Sequence, residues 1–353
     1  MKRTFALVTA TALSLSLLLT SCGGGTATNP SSAPAGDGGE GSGSASVTLR
    51  LGHVVADGSS LDKGLDKFAE LVAEKSDGTI EVQVYANSTL GDNTSMAEQL
   101  QFGSLDMMAP SVAALSGFTS ATALFDMPYL FKNEAAAEEV LDGEIGDEIG
   151  SYLEEPGFHM LSWMTQSWRH VTCNKEVHQP SDMAGIKIRT MDSEYHIAHF
   201  NALGASAIPM AMSEVYTALQ QHTIDAQENP YTNIVTSRFY EVQDYVVETA
   251  HIYDACPLII SNITWNKLTD DQKAILQEAA DEATTWERAE VLADDEANRQ
   301  LVEESGTTVI ELTEDERNAF REAAQSVYDS YIEAQGQQAA DWVAAIEEIN
   351  AKH

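Results

Sequence analysis

The feature that most constrains the fold is a long stretch without helix breakers in the last third of the chain. Thr269-Asp270-Asp271-Gln272 has the pattern of a capping box, and no proline or glycine follows until Gly306. An uninterrupted helix of about 35 residues would be ~52 Å long, which is longer than one lobe of a two-lobe chain is wide. The stretch therefore predicts either one helix that spans both lobes or two helices with an unmarked kink between them.

The first part of the folded chain alternates between strand and helix patterns. Residues 47–51 and 80–84 alternate apolar and polar side chains, as half-buried strands do. The helix between them is predicted to end at Gly78, a second helix ends at Gly103, and residues 105–109 return as a strand. Strand, helix, strand, helix, strand is typical of a mostly parallel sheet covered by helices. A second unit of the same type is predicted to begin near Arg169.

The first residues have the pattern of an export signal. Lys2 and Arg3 precede an apolar run over residues 5–19, which is too short for a membrane span. The run ends in Leu19-Thr20-Ser21-Cys22, which looks like a bacterial lipobox and implies cleavage before Cys22 and diacylation of its sulfur. An ordinary secreted signal with an incidental cysteine is the alternative. We predict a signal peptide over residues 1–21.

The segment after Cys22 is predicted to be a tether. Residues 23–46 are rich in glycine and serine and contain no aromatic residue, leucine, isoleucine or valine. Such a composition buries too little apolar surface to offset its ordering entropy. We therefore expect a lipidated cysteine and a flexible tether over residues 22–46, anchored at the membrane and followed by the folded part.

The charge balance excludes two classes of partner. The chain has 19 lysines and arginines against 55 aspartates and glutamates, a formal net charge of −36. Nucleic acid and anionic lipid both attract proteins through lysine and arginine. An anionic small molecule would have to be bound against a repulsive overall field, so a few arginines must dominate locally.

The sequence leaves open whether the two cysteines other than Cys22 form a disulfide. Cys173 and Cys256 form an even pair, and an oxidising compartment permits a disulfide between them. Two buried thiols are the alternative.

The central part of the chain carries the most specific motifs. Gly185-Ile186-Lys187-Ile188-Arg189 is followed by residues 202–205, by residues 209–220 and by Gln227-Glu228-Asn229-Pro230. This block resembles the extracytoplasmic solute receptors of TRAP transporters, and the resemblance covers nearly all of residues 47–350. The chain departs from the family's pattern at Thr190-Met191, which replaces a common Val-Pro, and at Ala226, which replaces a glycine.

The resemblance implies a fold class and a domain organisation. The expected fold is α/β and periplasmic-binding-protein-like, with two lobes that each contain a mixed sheet flanked by helices, and with one long helix that spans both lobes. Lobe I would comprise residues 47–166 plus 255–294, and lobe II residues 167–254 plus 295–353. Both Cys173 and Cys256 would lie on segments that cross between the lobes.

The resemblance also implies three contacts with a solute. Arg189 would grip a carboxylate, because the rigid fork of donors on a guanidinium matches two carboxylate oxygens. Arg169 matches a second arginine that contacts the ligand in this family, and Asn229 matches an asparagine that touches it. The residues alone leave open a structural ion pair for Arg189 and a helix N-cap for Asn229, because Pro230 follows it.

Further candidates would line the pocket. The family's sialic-acid receptors carry a glutamate and an arginine at the positions of Ser111 and Ala114, so the sequence argues against a nine-carbon acidic sugar of that type. Ser111 remains a candidate for solute contact. Trp168, Met212 and His53 are candidates for the wall, although Met212 and His53 fit a structural role equally well.

Catalytic and metal chemistry have weak support. His196 and His199 are three residues apart on a predicted helix near Glu194, but no third convincing zinc ligand accompanies them. His170 and Cys173 are also close in sequence, but strand neighbours three apart point to opposite faces. We therefore expect no enzyme activity, no cofactor, no metal and no catalytic residue.

The predicted function is that of a monomeric extracytoplasmic solute receptor. It would capture a carboxylate-bearing organic acid and deliver it to the small and large integral-membrane subunits of a TRAP transporter. A receptor of an ABC importer or of a sensory kinase is the alternative. The acid itself stays open among four-carbon dicarboxylates, keto acids, sugar acids and sulfonated or aromatic acids.

Overall fold

The structure is a computed structural model that describes residues 47–353. The predicted signal peptide, Cys22 and the tether lie outside the described residues. The described chain contains nine strands, whose bounds are Val47–Gly52 (β1), Ile80–Tyr85 (β2), Met107–Met108 (β3), Phe158–Cys173 (β4), Lys187–Thr190 (β5), Ser206–Pro209 (β6), Ala226–Asn229 (β7), Tyr245–Ser261 (β8) and Thr308–Glu311 (β9).

Twelve α-helices accompany these strands in residues 47–353. Their bounds are Ser60–Lys75 (α1), Asn93–Gln101 (α2), Glu134–Leu141 (α3), Glu144–Ser151 (α4), Glu194–Ala202 (α5), Met212–Gln220 (α6), Tyr231–Thr236 (α7), Asn262–Trp265 (α8), Asp270–Glu304 (α9), Glu314–Ala323 (α10), Gln325–Gln335 (α11) and Gln337–Asn350 (α12). None of them combines the length and the apolar composition that a bilayer crossing requires.

The strands form a mixed sheet with two parallel ends and an antiparallel centre. Its order is β2-β1-β3-β8-β4-β7-β5-β6, and β9 pairs with β8. At one end β1 runs parallel to β2 and β3, and at the other end β5 runs parallel to β6 and β7. The long antiparallel strands β4 and β8 join the two ends, with register shifts that include one between Thr165 and Trp168. The predicted α/β fold with a mixed sheet in each half is confirmed.

Helix α9 is continuous over 35 residues. The side chain of Thr269 accepts from the backbone of Gln272, and the side chain of Gln272 bonds the backbone of Thr269, so the predicted capping box is present. The helix packs on α1 and β4 along one part of its length and on α7 and β9 along another. The prediction of one long helix is therefore confirmed, and the alternative of two kinked helices is wrong.

The C-terminal helices cover a cluster formed by an earlier part of the chain. Val327 and Tyr331 of α11 and Trp342 and Ile346 of α12 are buried with residues 121–149 and with Trp163 of β4. Segments assigned to lobe II therefore pack on segments assigned to lobe I. The lobe boundaries themselves stay a prediction.

The two described cysteines are not bonded. Cys173 and Cys256 are both buried and free. In the register of β4 against β8, Cys173 lies opposite Tyr245 at one end, whereas Cys256 lies opposite Met164 farther along the strands. At roughly 3.3 Å per residue the two cysteines are about 30 Å apart along the strands, far beyond the ~7 Å between Cα atoms that a disulfide allows. Of the two alternatives that the sequence left open, the disulfide is wrong and two buried thiols are correct.

Candidate functional site

A cavity of about 380 Å³ lies where several loops and helix starts meet the centre of the sheet. Its lining comes from both predicted lobes: residues between 54 and 114 belong to lobe I, and residues between 169 and 233 belong to lobe II. The polar lining consists of Asp92, Asn93, Thr94, Ser111, Gln166, Arg169, Arg189, Asp192, Glu214, Asn229 and Asn233. The apolar lining includes Val54, Val55, Leu61, Met191, Met210 and Met212.

Arg189 reaches the cavity from β5. Ile188 beside it is buried in the core that covers one face of the sheet, and the alternation of the strand turns Arg189 to the other face. The side chain is 3% exposed, and its Nε donates to the carbonyl oxygen of Met210 at 2.9 Å. Within residues 47–353, no carboxylate lies within 4.0 Å of its guanidinium nitrogens.

Burial changes the electrostatics of Arg189 without removing its charge. Burial lowers the pKa of the guanidinium, the charge of Glu228 raises it and the charge of Arg169 lowers it, and the combined effect is a pKa of about 10. A pKa near 10 leaves the group protonated at neutral pH. Arg189 is therefore a buried cation that faces a cavity and has no ion-pair partner in the described chain.

Arg169 on β4 also lines the cavity, but its charge is compensated. Its Nε donates to Glu228 Oε2 at 2.5 Å, and its Nη1 forms an ion pair with Asp254. Its Nη2 donates to the carbonyl and side-chain oxygens of Glu228 and to Asn229 Oδ1. Burial alone would lower the pKa of Arg169, but the charges of Glu228 and Asp254 raise it above its ordinary value. Most of its donors are therefore occupied by protein.

Histidines extend this ionic network away from the cavity. His196 Nε2 of α5 lies 2.7 Å from Asp126 Oδ1, and His251 Nε2 lies 3.1 Å from Glu228 Oε2. His199 stacks on His251 with ring centroids 5.5 Å apart. The pKa of His199 falls well below its ordinary value, first through burial and then through the neighbouring His251. In residues 47–353, no group of three or more His, Cys, Asp or Glu is arranged to hold a metal ion.

Asn229, Ser111 and Met212, all candidates from the sequence, line the cavity, and their contact with a solute stays a prediction. Asn229 does not cap a helix, because Pro230 occupies the N-cap of α7 without a side-chain bond. Its Oδ1 accepts from Arg169 at 3.1 Å and its Nδ2 donates to Gln227 Oε1 at 2.5 Å. Ser111 donates its hydroxyl to Asp254 Oδ1 at 2.5 Å.

Trp168 and His53 do not line the cavity, so their predicted place in its wall is wrong. The ring of Trp168 packs edge to face on Tyr253 at a centroid distance of 5.2 Å, because the register shift of β4 turns it away. His53 is 1% exposed and its Nε2 lies 2.9 Å from Asp62 Oδ1, so it serves the core.

Several polar cavity residues were not identified from the sequence. Asn93 and Thr94 open helix α2, immediately after a loop whose Leu-Gly-Asp motif the sequence does show. Asn233 lies in the first turn of α7, and its Nδ2 donates to Oδ1 of Asn229 at the end of β7 at 3.3 Å, a contact across a strand-to-helix junction that periodicity does not indicate. Gln166 lies three residues before Arg169, beside the register shift of β4, where period-two alternation fails.

The cavity combines one favourable anion position with an acidic rim. Helix α6 starts at the cavity without a side-chain cap on Ala211, so the positive end of its dipole lies beside Arg189. Asp92, Asp192 and Glu214 line the same cavity and carry the opposite charge. The geometry suits one anionic group at Arg189.

A family model described as bacterial extracellular solute-binding protein, family 7, matches residues 51–335. Among curated relatives, an uncharacterised protein of Sinorhizobium fredii is 38% identical over 284 residues, which are 80% of this chain and 52% of that protein. The chain thus spans about half the length of that relative. The 2,3-diketo-L-gulonate-binding periplasmic protein of Escherichia coli K12 is 33% identical over 304 residues, which are 86% of this chain and 92% of that protein.

A solved structure shares the whole architecture. The TRAP periplasmic solute-binding protein of Sulfurospirillum deleyianum with bound succinate is 32% identical to this chain and superposes with a TM-score of 0.82. The comparison covers 87% of this chain and 100% of that chain.

Proposed function

The chain belongs to the bacterial extracellular solute-binding proteins of family 7, and from that membership we propose that it captures a carboxylate-bearing organic acid for a TRAP-type transporter. The family places the protein outside the cytoplasm. Its members and solved relatives are binding receptors, so the chain is a receptor and not an enzyme.

The single observation that carries the proposal is that Arg189 is buried and charged but has no carboxylate partner in the described chain. A buried charge is costly unless an opposite charge and hydrogen bonds compensate it. Arg169 is compensated by Glu228 and Asp254, whereas Arg189 has only the carbonyl of Met210. A solute carboxylate at Arg189 and the start of α6 would supply the missing charge. Diketogulonate and succinate, named for the two relatives above, are both carboxylates.

Replacing Arg189 tests this assignment. Arg189→Ala should keep the fold and weaken binding of the cognate acid by ~2–5 kcal/mol, because the ligand carboxylate would be buried unpaired. Arg189→Lys should recover part of that loss, since an ammonium keeps the charge but not the bidentate fork. Arg238→Ala, which removes an exposed arginine outside the cavity, is the matched control. Calorimetry that showed native affinity for folded Arg189→Ala would refute the carboxylate assignment.

The partners we propose are the small and large integral-membrane subunits of a TRAP transporter, with an ion gradient as the driving force. The support is family membership and the likeness to a TRAP solute-binding structure. Uptake of the acid by vesicles that contain both subunits, the receptor and a sodium or proton gradient tests the pairing. Uptake that needs ATP instead would overturn it.

We also propose that acyl chains at Cys22 hold the receptor at the membrane. The support is the lipobox-like Leu19-Thr20-Ser21-Cys22 and the Gly/Ser-rich segment that follows it. The native chain should appear in the membrane fraction, and Cys22→Ser should be released. If both fractionate alike, the anchor proposal fails.

A further inference from the structure

Among the described residues, the cavity lining has one unpaired positive charge, which can compensate only one carboxylate. Arg169 and Arg189 are the two cationic side chains among its lining residues in the described chain, and Arg169 is already shared by Glu228 and Asp254. Asp92, Asp192 and Glu214 add negative charge to the same lining. A second carboxylate on the solute would therefore meet no unpaired cation and several like charges.

The cavity wall also contains acceptor atoms that lack donors. Asn233 is 2% exposed, and its Oδ1 has no hydrogen-bond partner in the described chain. The Oδ1 of Asn93 is likewise buried without a partner. Both residues line the cavity. A carboxylate has only acceptor atoms and cannot satisfy these oxygens, whereas a solute hydroxyl can donate to them.

The orientation of Asn233 follows from charged neighbours. Arg169 Nη2 donates to Asn229, so the atom that faces the guanidinium must be the Asn229 oxygen. Asn233 Nδ2 lies 3.3 Å from that same oxygen and 2.8 Å from Gln166 Oε1, while Gln166 Nε2 faces Asp254 at 3.3 Å. The amide nitrogen of Asn233 is therefore held by two acceptors, and its oxygen remains as an acceptor at the cavity.

From these observations we infer that the solute is a polyhydroxylated monocarboxylate, that is, a sugar acid, and not a dicarboxylate. The inference rests on the proposed carboxylate contact at Arg189. The hydroxyl groups bond to Asn233, Asn93 and the acidic residues at the rim, which accept hydrogen bonds but repel a second anion. The cavity thus selects its ligand by the hydroxyl groups as much as by the carboxylate.

Six-carbon probes that differ in their carboxylates and hydroxyl groups test this inference on the full folded receptor. Calorimetry would compare gluconate, galactonate and mannonate (one carboxylate with hydroxyls) with hexanoate (one carboxylate, no hydroxyls), adipate (two carboxylates) and sorbitol (hydroxyls, no carboxylate). At least one sugar acid should bind ~100-fold more tightly than hexanoate and adipate, since a site built around hydroxyls rejects analogues that lack them. Adipate or succinate binding as tightly as every sugar acid overturns the inference, as does the absence of sugar-acid binding below about 1 mM.

A variant of Asn93 tests whether the cavity wall causes the preference for sugar acids. Asn93→Ala should weaken the best sugar acid by ~10-fold through loss of one hydrogen bond and leave hexanoate unchanged. Asn266→Ala, an exposed asparagine outside the cavity, is the control and should change neither. Equal weakening of sugar acid and hexanoate by Asn93→Ala would count against the inference.

The probes and the Arg189→Ala variant together distinguish failure of the sugar-acid inference from failure of the carboxylate assignment. If sorbitol binds as tightly as gluconate, or if Arg189→Ala leaves sugar-acid affinity intact, the carboxylate assignment fails. If Arg189→Ala abolishes tight binding of a dicarboxylate, the assignment stands and only the sugar-acid inference fails.

Discussion

At the residue scale, two buried arginines of equal charge have different roles. Arg169 is held by Glu228 and Asp254, both of which are almost inaccessible to solvent. Arg189 is equally buried but is bonded only to a carbonyl of the protein. We therefore expect the first arginine to stabilise the folded chain and the second to be available to a ligand.

Truncation of the two arginines should separate these roles in the ligand-free protein. Arg169→Ala should lower the free energy of unfolding by ~3–5 kcal/mol, because two buried carboxylates lose their partner. Arg189→Ala removes a cation that has no partner and should cost far less. Urea denaturation of both variants measures the difference. Equal stability of the two variants would show that Arg169 is not the structural member of the pair.

At the element scale, a glycine permits a close approach between α1 and α9. A Cβ built on Gly64 would lie 2.4 Å from Cγ and 2.8 Å from Cβ of Glu287. Glu287 is fully buried, burial raises its pKa well above the ordinary value, and its Oε2 accepts from the backbone N–H of Thr165 at 3.3 Å. At Glu287, the long helix therefore packs directly on Gly64 of α1 and accepts a hydrogen bond from β4.

Gly64→Ala should destabilise the chain through this contact. Because neither backbone can move without disturbing a packed core, we expect a loss of ~1–3 kcal/mol in the free energy of unfolding. Gly117→Ala is the matched control, since a Cβ there meets no atom within 4 Å. Adding Glu287→Ala should recover part of the loss. A Gly64→Ala protein as stable as the Gly117→Ala protein would contradict the close-contact argument.

At the scale of the whole molecule, three long elements connect the parts that line the cavity. Strands β4 and β8 and helix α9 run between the two ends of the sheet. We propose that the two predicted lobes close on the solute about these elements, with α11 and α12 moving together with lobe I, because both helices are buried against residues 121–149. A ligand shifts such an equilibrium only by its differential affinity for the closed form, so contact with both lobes is required.

Closure should be visible in solution scattering. Saturating cognate acid should reduce the radius of gyration of the native receptor. The same acid concentration should leave folded Arg189→Ala unchanged, because the ligand no longer binds. Identical curves for the native receptor with and without a saturating ligand would exclude the clamp, while binding measured in parallel would confirm that the ligand was present.

The sequence by itself determined the features that depend on local pattern. The Thr269 capping box and the absence of breakers before Gly306 determine α9, and alternation of apolar residues determines β1 and β2. These predictions succeeded because helix caps and strand faces are set by neighbours within a few residues. The position of Arg189 at the cavity followed from its motif, whose resemblance to a known family carried information that spacing alone does not contain.

Only the tertiary structure decided which groups pair across the chain. Arg169 meets Glu228 and Asp254, which are 59 and 85 residues away, and this pairing distinguishes a structural arginine from one that can bind a ligand. The register of β4 against β8 likewise separates Cys173 from Cys256 and turns Trp168 away from the cavity. Contacts of this kind depend on which distant strands pair, and the periodicity of one strand does not identify its partner along the chain.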